Sequence, residues 1–404
     1  TELTTGRNLD TNTQWLSRRL AEIGIPVAFH TTVGDDFDDD LTAFRTAVGR
    51  AGLVIATGGL GPTQDDLTRD VLARLAGVEL VEDPATLEHL RGFFARRGRE
   101  MPERNRVQAL FPRGSEPIPN PVGTAPGIWM PLGGSLVVCM PGVPSELFRM
   151  YEEQVKPRLV ALGVGGGVLI ERKLNVFGAG ESMVEQKVMD LTRRGHVPEV
   201  GITASDATIS LRILASAATE EEALRQIAPV EAVIRERLGD MVFGTGDEEL
   251  QYAVAALLEQ RRLTLATAES VTAGLVARRL AEVPGISAWL CGGVVAYQNR
   301  TKVELLGVPE ALIEEHGAVS RPVVEAMAAG CRARLGTDLA VATVGFAGPG
   351  GGTEKDPVGS AYVALASAGG VVSAAARWPG TRTEVQSRVA KSALNLVRLH
   401  LLRG

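Results

Sequence analysis

The sequence predicts a soluble multidomain α/β protein, and three observations carry the prediction. A chain of 404 residues is longer than one hydrophobic core ordinarily organises, so two or three domains are expected. Apolar strand-like runs alternate with helical spacing at both ends of the chain, the pattern of a doubly wound sheet. Glycine-rich stretches at 163–167 and 244–246 punctuate it, placing domains at 1–166, 167–245 and 246–404.

The elements follow in order. The chain opens on Thr1 without a methionine, and Asp10-Thr11-Asn12 leads into helical spacing through Trp15, Leu16, Arg19 and Leu20. An α/β domain normally starts on a strand, so a short strand is expected to have been lost ahead of this turn. Residues 53–57 read as a buried strand, 68–75 as a helix, 135–140 as a second buried strand and 145–162 as a helix; together they predict a parallel doubly wound sheet. A smaller α+β unit follows, with strands at 168–176 and 207–214 and helices at 181–194 and 219–238. The last third is again α/β. A long helix from 247 precedes strand 263–268, helix 271–282, strand 293–297 and helices 301–306 and 320–335. Strand 339–345, a glycine-rich loop, an antiparallel pair at 358–367 and 371–378 and a helix at 383–402 complete it.

Composition narrows the function. Apolar residues are 45% and charged residues 22% of the chain, the balance of a globular protein. No apolar run reaches the ~18 residues that cross a bilayer and no secretory leader opens the chain, so a cytoplasmic location and no membrane partner are expected. Cys139, Cys291 and Cys331 are scattered and odd in number, which predicts reduced core residues. Five histidines without zinc-ligand spacing argue against a transition-metal site and a Ser-His-Asp triad. A net charge of −6 argues against direct nucleic-acid binding.

Four C-terminal segments carry candidate chemistry. Ser270 stands where strand 263–268 gives way to a helix, whose unpaired amides could stabilise a developing oxyanion; alone, it reads as a helix N-cap. Tyr297 and Lys302 bracket the next strand-to-helix turn. A desolvated lysine can act as general base with a tyrosine relaying the proton, though a solvated helix-start lysine is the plainer reading. The run 345–353 holds enough glycine to bring backbone amides close to an anion, or is simply flexible. Arg382, at the start of the last helix, offers a cation to phosphate.

The N-terminal third has comparable turns. Gly58-Gly59-Leu60-Gly61-Pro62-Thr63-Gln64-Asp65-Asp66 joins a buried strand to a helix whose start favours an anion. Asp65 and Asp66 could hold a divalent cation or cap the helix. A second anion-ready turn spans 140–146, and 119–127 forms a rigid proline-rich loop.

Taken together, AESVTAG (268–274), GGVVAYQNRTKVELLGV (292–308), HGAVS (316–320), GFAGPGGGT (345–353) and PGTR (379–382) resemble the C-terminal domain of the CinA family, which is related to the nicotinamide-mononucleotide deamidase PncC. TELTTGRNLDTN (1–12), GGLGPTQDDLT (58–68), NRVQA (105–109), PNPVGTAPG (119–127), MPGVPSEL (140–147) and FGAGES (177–182) resemble the rest of that family, whose N-terminal domain is similar to the molybdopterin-binding MoaB/MogA/MoeA fold. The middle unit resembles a KH-type fold but lacks a GxxG clamp on a basic surface, which argues against RNA.

The resemblance implies a bifunctional enzyme. Its C-terminal domain would hydrolyse nicotinamide mononucleotide to nicotinate mononucleotide and ammonia without a cofactor. Ser270 would be the nucleophile, Lys302 the base and Tyr297 a proton relay; Glu269, Thr272, Gly274, Gly345, Ala347, Gly348, Gly350 and Arg382 would hold the nucleotide. The N-terminal domain would split ADP-ribose into AMP and ribose 5-phosphate. Asn12, Gly58, Gly59, Gly61, Pro62, Thr63, Gly142, Pro144 and Glu146 would bind nucleotide there, with a divalent metal such as Mg²⁺ on Asp65 and Asp66 and K⁺ as a further cation. A homodimer is expected. The alternatives are a molybdopterin-handling protein, or a competence or DNA-repair interaction protein with a weak or inactive deamidase domain. Three positions depart from the family pattern: Ala273 where a glycine is usual, Val344 where a hydroxyl is usual, and Gln386 where a second arginine is common.

Overall fold

The structure is a computed structural model that describes residues 2–403, and the chain divides into two compact units, Thr1–Ile170 with Ser216–Ala223 and Glu171–Ala215 with Leu224–Gly404. In the first, α1 (Thr11–Glu22) starts at Asp10, whose carboxylate accepts from Thr13 N, and α2 (Phe37–Arg50) starts at Asp36, which accepts from the amides of Asp38 and Asp39. These are side-chain caps of the usual kind. Next come β1 (Leu53–Thr57), α3 (Thr68–Ala76), β2 (Leu80–Glu82), α4 (Pro84–Ala95), β3 (Leu110–Pro112), β4 (Glu116–Ile118), β5 (Gly127–Leu132) and β6 (Ser135–Met140). A helical stretch closes the unit as α5 (Pro144–Met150), a π-turn and α6 (Lys156–Ala161).

The first unit's main sheet runs β1-β6-β5-β4, with β2 and β3 forming a separate pair. Alternation along β6 sends Val138 and Met140 into one apolar cluster with Leu16, Leu147 and Tyr151, and Val137 and Cys139 into another with Phe44, Val71 and Leu72. Helices therefore cover both faces. The sheet is not all parallel, however: only β1 and β6 run parallel, while β5 is antiparallel to β6 and β4 to β5. The cause is the two-residue turn Gly133-Gly134, with φ of 59° and 87°, a hairpin connection that a parallel pair cannot use.

The chain continues as β7 (Val168–Val176), α7 (Glu181–Val188), β8 (Glu199–Ser205), β9 (Thr208–Ala217), α8 (Glu220–Leu238) and β10 (Val242–Thr245), and the four strands form one sheet in the order β10-β7-β9-β8. Strand β8 is absent from the sequence expectations, and α7 stops well short of residue 194. There Arg237 donates to Lys187 O at 3.0 Å and pairs with Asp190, which ends the helix by satisfying one of its last carbonyls. At the second glycine stretch Gly244 and Thr245 pair with Asn175 and Leu174, and within the first a Cβ at Gly165 would lie 2.2 Å from Ile23 O.

The remaining elements are α9 (Leu250–Arg261), β11 (Leu265–Glu269), α10 (Leu275–Ala281), β12 (Leu290–Val295), α11 (Asn299–Leu306), α12 (Glu310–His316), α13 (Arg321–Leu335), β13 (Leu339–Gly345), β14 (Ser360–Ser367), β15 (Gly370–Arg377) and α14 (Arg382–Arg403). Their sheet order is β12-β11-β13-β14-β15, with the first three parallel and the last two antiparallel. One face packs on α9, α10 and α14 through Leu265, Val341 and Leu394. The other, lined by Ala266, Ala268, Ala340 and Ala342, packs on α13 through Val323, Val324 and Met327. Cys139 and Cys331 are buried as expected, but Cys291 is exposed, because β12 is an edge strand whose alternate side chains face outward. Among the described residues no helix is long and apolar enough to cross a membrane.

Candidate active sites

Chain order places β12 on one side of β11 and β13 on the other, so the sheet reverses direction around β11. Ligands of open α/β sheets sit beyond the carboxyl ends of strands at such a reversal. Register puts Glu269 beside Val295 and Thr343. Ser270 therefore leaves β11 directly between the exits of β12, towards Tyr297, and β13, towards the glycine loop. Backbone bonds fix the junction: Ser270 N donates to Thr343 O at 3.0 Å and Ala296 N to Glu269 O at 2.8 Å.

The helix expected to begin at Ser270 begins instead at Leu275. The intervening turn is organised by the buried Glu269 carboxylate, which accepts from Thr272 Oγ1 (2.6 Å), Gly274 N (2.9 Å), Val276 N (3.0 Å) and Ala277 N (2.9 Å). Ser270 is thus not a helix cap, since a glutamate one residue earlier does that work. The same bonds correct two expectations. Glu269 and Thr272 are 1% and 3% exposed and committed to the turn rather than presented to a nucleotide. Thr272 also shares a 2.8 Å hydroxyl contact with Thr343, while Val344 is buried in the opposite layer with Ala296 and Leu306. The hydroxyl that reaches the turn is therefore that of Thr343. Gln386 donates to Val271 O at 2.9 Å, so it braces the turn from α14. Ala273 takes φ +52°, a left-handed conformation natural to glycine.

Lys302 lies in the first turns of α11 and is 2% exposed; its Nζ has Tyr297 O at 3.5 Å. Burial lowers the proton affinity of this amine, as expected for a cation removed from water. Tyr297 is exposed, and its hydroxyl accepts from Arg382 Nη2 at 2.5 Å while Arg382 Nη1 donates to Gly348 O at 2.7 Å. One guanidinium thus ties the phenol to the glycine loop. Its planar fork carries further N–H donors suited to a phosphate. In that loop Ala347 and Gly348 are buried and Gly350 is exposed. A Cβ at Gly345 would come 2.9 Å from Ser360 O, which makes that glycine a packing requirement.

In the first unit, β1 and β6 end side by side, and Gly58 N donates to Met140 O at 2.9 Å. The 58–66 loop, the 140–146 turn and the 119–127 loop that enters β5 consequently meet at one sheet edge. Asn12 joins them by donating to Gly142 O at 2.7 Å, and its Oδ1 is buried with no partner. Asn120 donates to Glu146 Oε2 at 2.7 Å and accepts from Gly123 N at 2.8 Å. Pro144 opens α5 in its first turn.

The 58–66 loop is braced on both sides. Asp66 accepts from Gly61 N at 2.7 Å, from Thr63 N at 2.8 Å and from the Thr63 hydroxyl. Arg69, 3% exposed, donates to the carbonyls of Leu60 and Gly61; burial pushes its guanidinium down to about 10. A Cβ at Gly59 would sit 2.2 Å from Thr68 Oγ1, and Pro62 in the same loop is half-buried. These bonds correct the expected metal pair. Asp66 is occupied by its own loop, Asp65 is exposed, and among the described residues no group of three or more His, Cys, Asp or Glu side chains could hold a metal. The pair does not fit a preformed cation site. Arg69 escaped sequence reading, although an arginine within one turn of a glycine-rich strand-to-helix loop was the available signal.

Two compact units, each with a parallel strand pair that ends at a glycine loop, define a multidomain α/β protein. Family models agree: "CinA C-terminal domain" matches residues 247–401, "Damage-inducible protein CinA KH domain" 171–244 and "Probable molybdopterin binding domain" 1–161. A CinA-like protein of Dictyoglomus thermophilum is 43% identical over 402 residues, spanning 100% of this chain and 97% of that one. One of Frankia casuarinae is 44% identical over 406 residues, spanning 98% and 93%. The crystal structure of competence/damage inducible protein CihA from Agrobacterium tumefaciens is 35% identical, covers 38% of this chain and 93% of its own, and has a TM-score of 0.37. The chain belongs to the CinA family.

Proposed function

We propose that the protein is a cytoplasmic, homodimeric enzyme of pyridine-nucleotide salvage that acts on small-molecule nucleotides at two sites. The C-terminal site would hydrolyse the carboxamide of nicotinamide mononucleotide, and the N-terminal site would cleave ADP-ribose to AMP and ribose 5-phosphate. One observation carries the first assignment: Ser270 stands at the reversal point of the sheet, next to the exits that supply Tyr297 and the glycine loop, with the buried Lys302 beyond Tyr297.

The chemistry needs no metal or histidine. Ser270 Oγ attacks the carboxamide carbon and its proton passes to the neutral Lys302 amine, with the Tyr297 hydroxyl positioned by Arg382 as relay. Collapse of the tetrahedral intermediate breaks the C–N bond, and the lysine proton leaves with ammonia. Water then adds to the acyl carbon, the ester C–O bond breaks, and Ser270 regains its proton as nicotinate mononucleotide departs. Arg382 and the amides of 345–353 hold the phosphate. The Glu269 carboxylate keeps the Ser270 turn in place without touching substrate.

At the N-terminal edge, the glycine backbone of 58–66 beside the 140–146 turn leaves room for a pyrophosphate, and the unpartnered Asn12 Oδ1 suits a ribose hydroxyl. Because Asp66 is engaged by its own loop, a divalent cation and K⁺ would enter with the substrate. The family match over 1–161 favours a second reading of this edge as a molybdopterin-type site, and competition between a pterin and ADP-ribose separates the two. The main test is Ser270→Ala. Ammonia release from nicotinamide mononucleotide is expected to vanish while ADP-ribose cleavage continues, and persistence of deamidation removes Ser270 as nucleophile.

A further inference from the structure

Between the β8–β9 hairpin and helices α9, α10 and α14 lies a cavity of about 630 Å³ that neither proposed activity uses. Its inner wall is an ion network centred on a buried lysine and reaching half-exposed carboxylates. Lys391, 2% exposed, contacts Asp206 Oδ2 and Glu249 Oε2 at 3.2 Å each and donates to Thr208 Oγ1 at 2.9 Å. Asp206 also accepts from Ser387 Oγ at 2.5 Å and lies 3.5 Å from Arg279 Nη2. Asp206 and Ala207 form the hairpin tip with φ of 46° and 60°, a conformation that is costly for residues other than glycine. Backbone strain of this kind is retained where surrounding contacts hold it.

The unmet groups in this wall are acceptors. Gln251 is 4% exposed; its amide Nε2 donates to Glu282 Oε2 at 3.2 Å, while its Oε1 is buried and has no partner. Glu249 Oε2 makes its 3.2 Å contact with Lys391 outside hydrogen-bonding geometry and has no hydrogen-bond donor. Glu282 and Glu248 are answered only by neutral donors, the Gln251 amide and the Thr245 amide and hydroxyl. Both are exposed at the rim of the cavity and neither is paired with a cationic side chain among the described residues, so the buried unmet acceptors are Gln251 Oε1 and Glu249 Oε2. The cations on this wall are Lys391 and Arg279, both held by Asp206, Lys173, 3.5 Å from Asp247, and the exposed Arg278. A buried unpaired acceptor costs about 1–3 kcal/mol, and such groups in a cavity call for a ligand that donates.

We propose that this cavity binds a small organic cation of the guanidinium or ammonium class, its N–H donors meeting Gln251 Oε1, Glu249 and Glu282. Arg278, which also lines the cavity, supplies a partner for a carboxylate if the cation bears one. Net charge and donor count, rather than shape, are the recognised features.

The experiment is calorimetric titration of the full chain with agmatine, L-arginine and L-glutamate. Agmatine and L-arginine should bind saturably at millimolar concentration or below, and L-glutamate should not. Arg278→Ala should weaken L-arginine several-fold and leave agmatine unchanged, because only the former carries a carboxylate. Gln251→Leu and Glu282→Gln should each weaken both ligands at least tenfold. No saturable heat with either cation, equal binding of L-glutamate, or unaltered affinity in both the Gln251 and Glu282 variants overturns the proposal.

Discussion

The two strand-to-helix junctions, 265–275 in one unit and 53–68 in the other, begin from the same physical problem and solve it differently. Each must satisfy amides exposed where a strand hands over to a helix. In the C-terminal junction Glu269, at the end of the strand itself, reaches forward and takes the amides of Gly274, Val276 and Ala277. In the N-terminal junction Asp66, near the helix start, reaches back to the amides of Gly61 and Thr63. In both cases the chain supplies its own anion, so an amide cluster at a helix start is not by itself a phosphate site. The difference lies in what surrounds the turn. Ser270 leaves its strand between the exits of β12 and β13, the first of which leads through Tyr297 to the buried Lys302, whereas around 58–66 the glycine backbone itself is the feature on display, braced by Asp66 and Arg69.

The largest expected effect breaks the C-terminal side of this comparison at its base. Lys302→Met keeps the volume of the side chain but removes the amine, and should lower deamidation by several orders of magnitude. ADP-ribose turnover, proposed for the other junction, should not change. In the parent enzyme, deamidation kcat/KM should rise with pH through a midpoint below that of an ordinary lysine, because the neutral amine is the base and burial favours it. The same shift fixes a stability effect of defined sign. A lysine with lowered folded-state pKa contributes fully only above its unfolded pKa, and that contribution fades as pH falls through the folded value. At neutral pH the parent therefore carries the cost of a buried amine, and Lys302→Met should raise the unfolding temperature while abolishing activity. A variant that is inactive and also less stable would show that Lys302 holds the fold rather than the proton.

Removing the two carboxylates compares the junctions directly. Glu269→Ala leaves a hydroxyl and three buried or half-buried amides without their acceptor, for a loss of about 3 kcal/mol. Asp66→Ala strips a half-exposed loop whose amides can turn to water, for about 1 kcal/mol. Denaturant unfolding should rank them in that order. Equal losses would mean that the two carboxylates do equivalent work and that burial does not separate the junctions.

Much of this was legible in the sequence, for identifiable reasons. Strands β1, β6 and β13 are apolar runs with glycine close to both ends, β11 is an apolar run that stops at Glu269-Ser270, and the ends of β11, β12 and β1 place Ser270, Tyr297 and the 58–66 loop. Lys302 was legible as a strand-exit lysine, but its burial depends on how α11 packs and could not be read locally. The capping role passed unnoticed from Ser270 to Glu269 because a forward-reaching carboxylate depends on the turn of 270–274, and nothing in Ser-Val-Thr-Ala-Gly announces that the helix waits until Leu275. Asp65-Asp66 looked like metal ligands because paired carboxylates on a glycine loop serve either purpose. Only the three-dimensional placement of the Gly61 and Thr63 amides decides between them. The antiparallel β5–β6 hairpin, by contrast, was signalled by Gly133-Gly134 between two apolar runs.

The smallest effect tests the backbone of the two turns. The C-terminal turn puts Ala273 at φ +52°, whereas the N-terminal loop places glycine at its comparable positions, Gly58 at 101° and Gly59 at 64°. A left-handed alanine costs about 1–2 kcal/mol relative to a right-handed one, and glycine returns roughly 0.5–1 kcal/mol of that through its freer unfolded chain. Ala273→Gly should consequently stabilise the C-terminal unit by about 0.5 kcal/mol and leave Ser270 where it is, with deamidation maintained. Gly59→Ala should do the reverse by a wider margin, since it adds a Cβ 2.2 Å from Thr68 Oγ1 to a left-handed position. If Ala273→Gly instead destabilises, the alanine methyl contributes packing that outweighs its backbone strain, and the Ser270 turn is held by side-chain contact as well as by the Glu269 carboxylate.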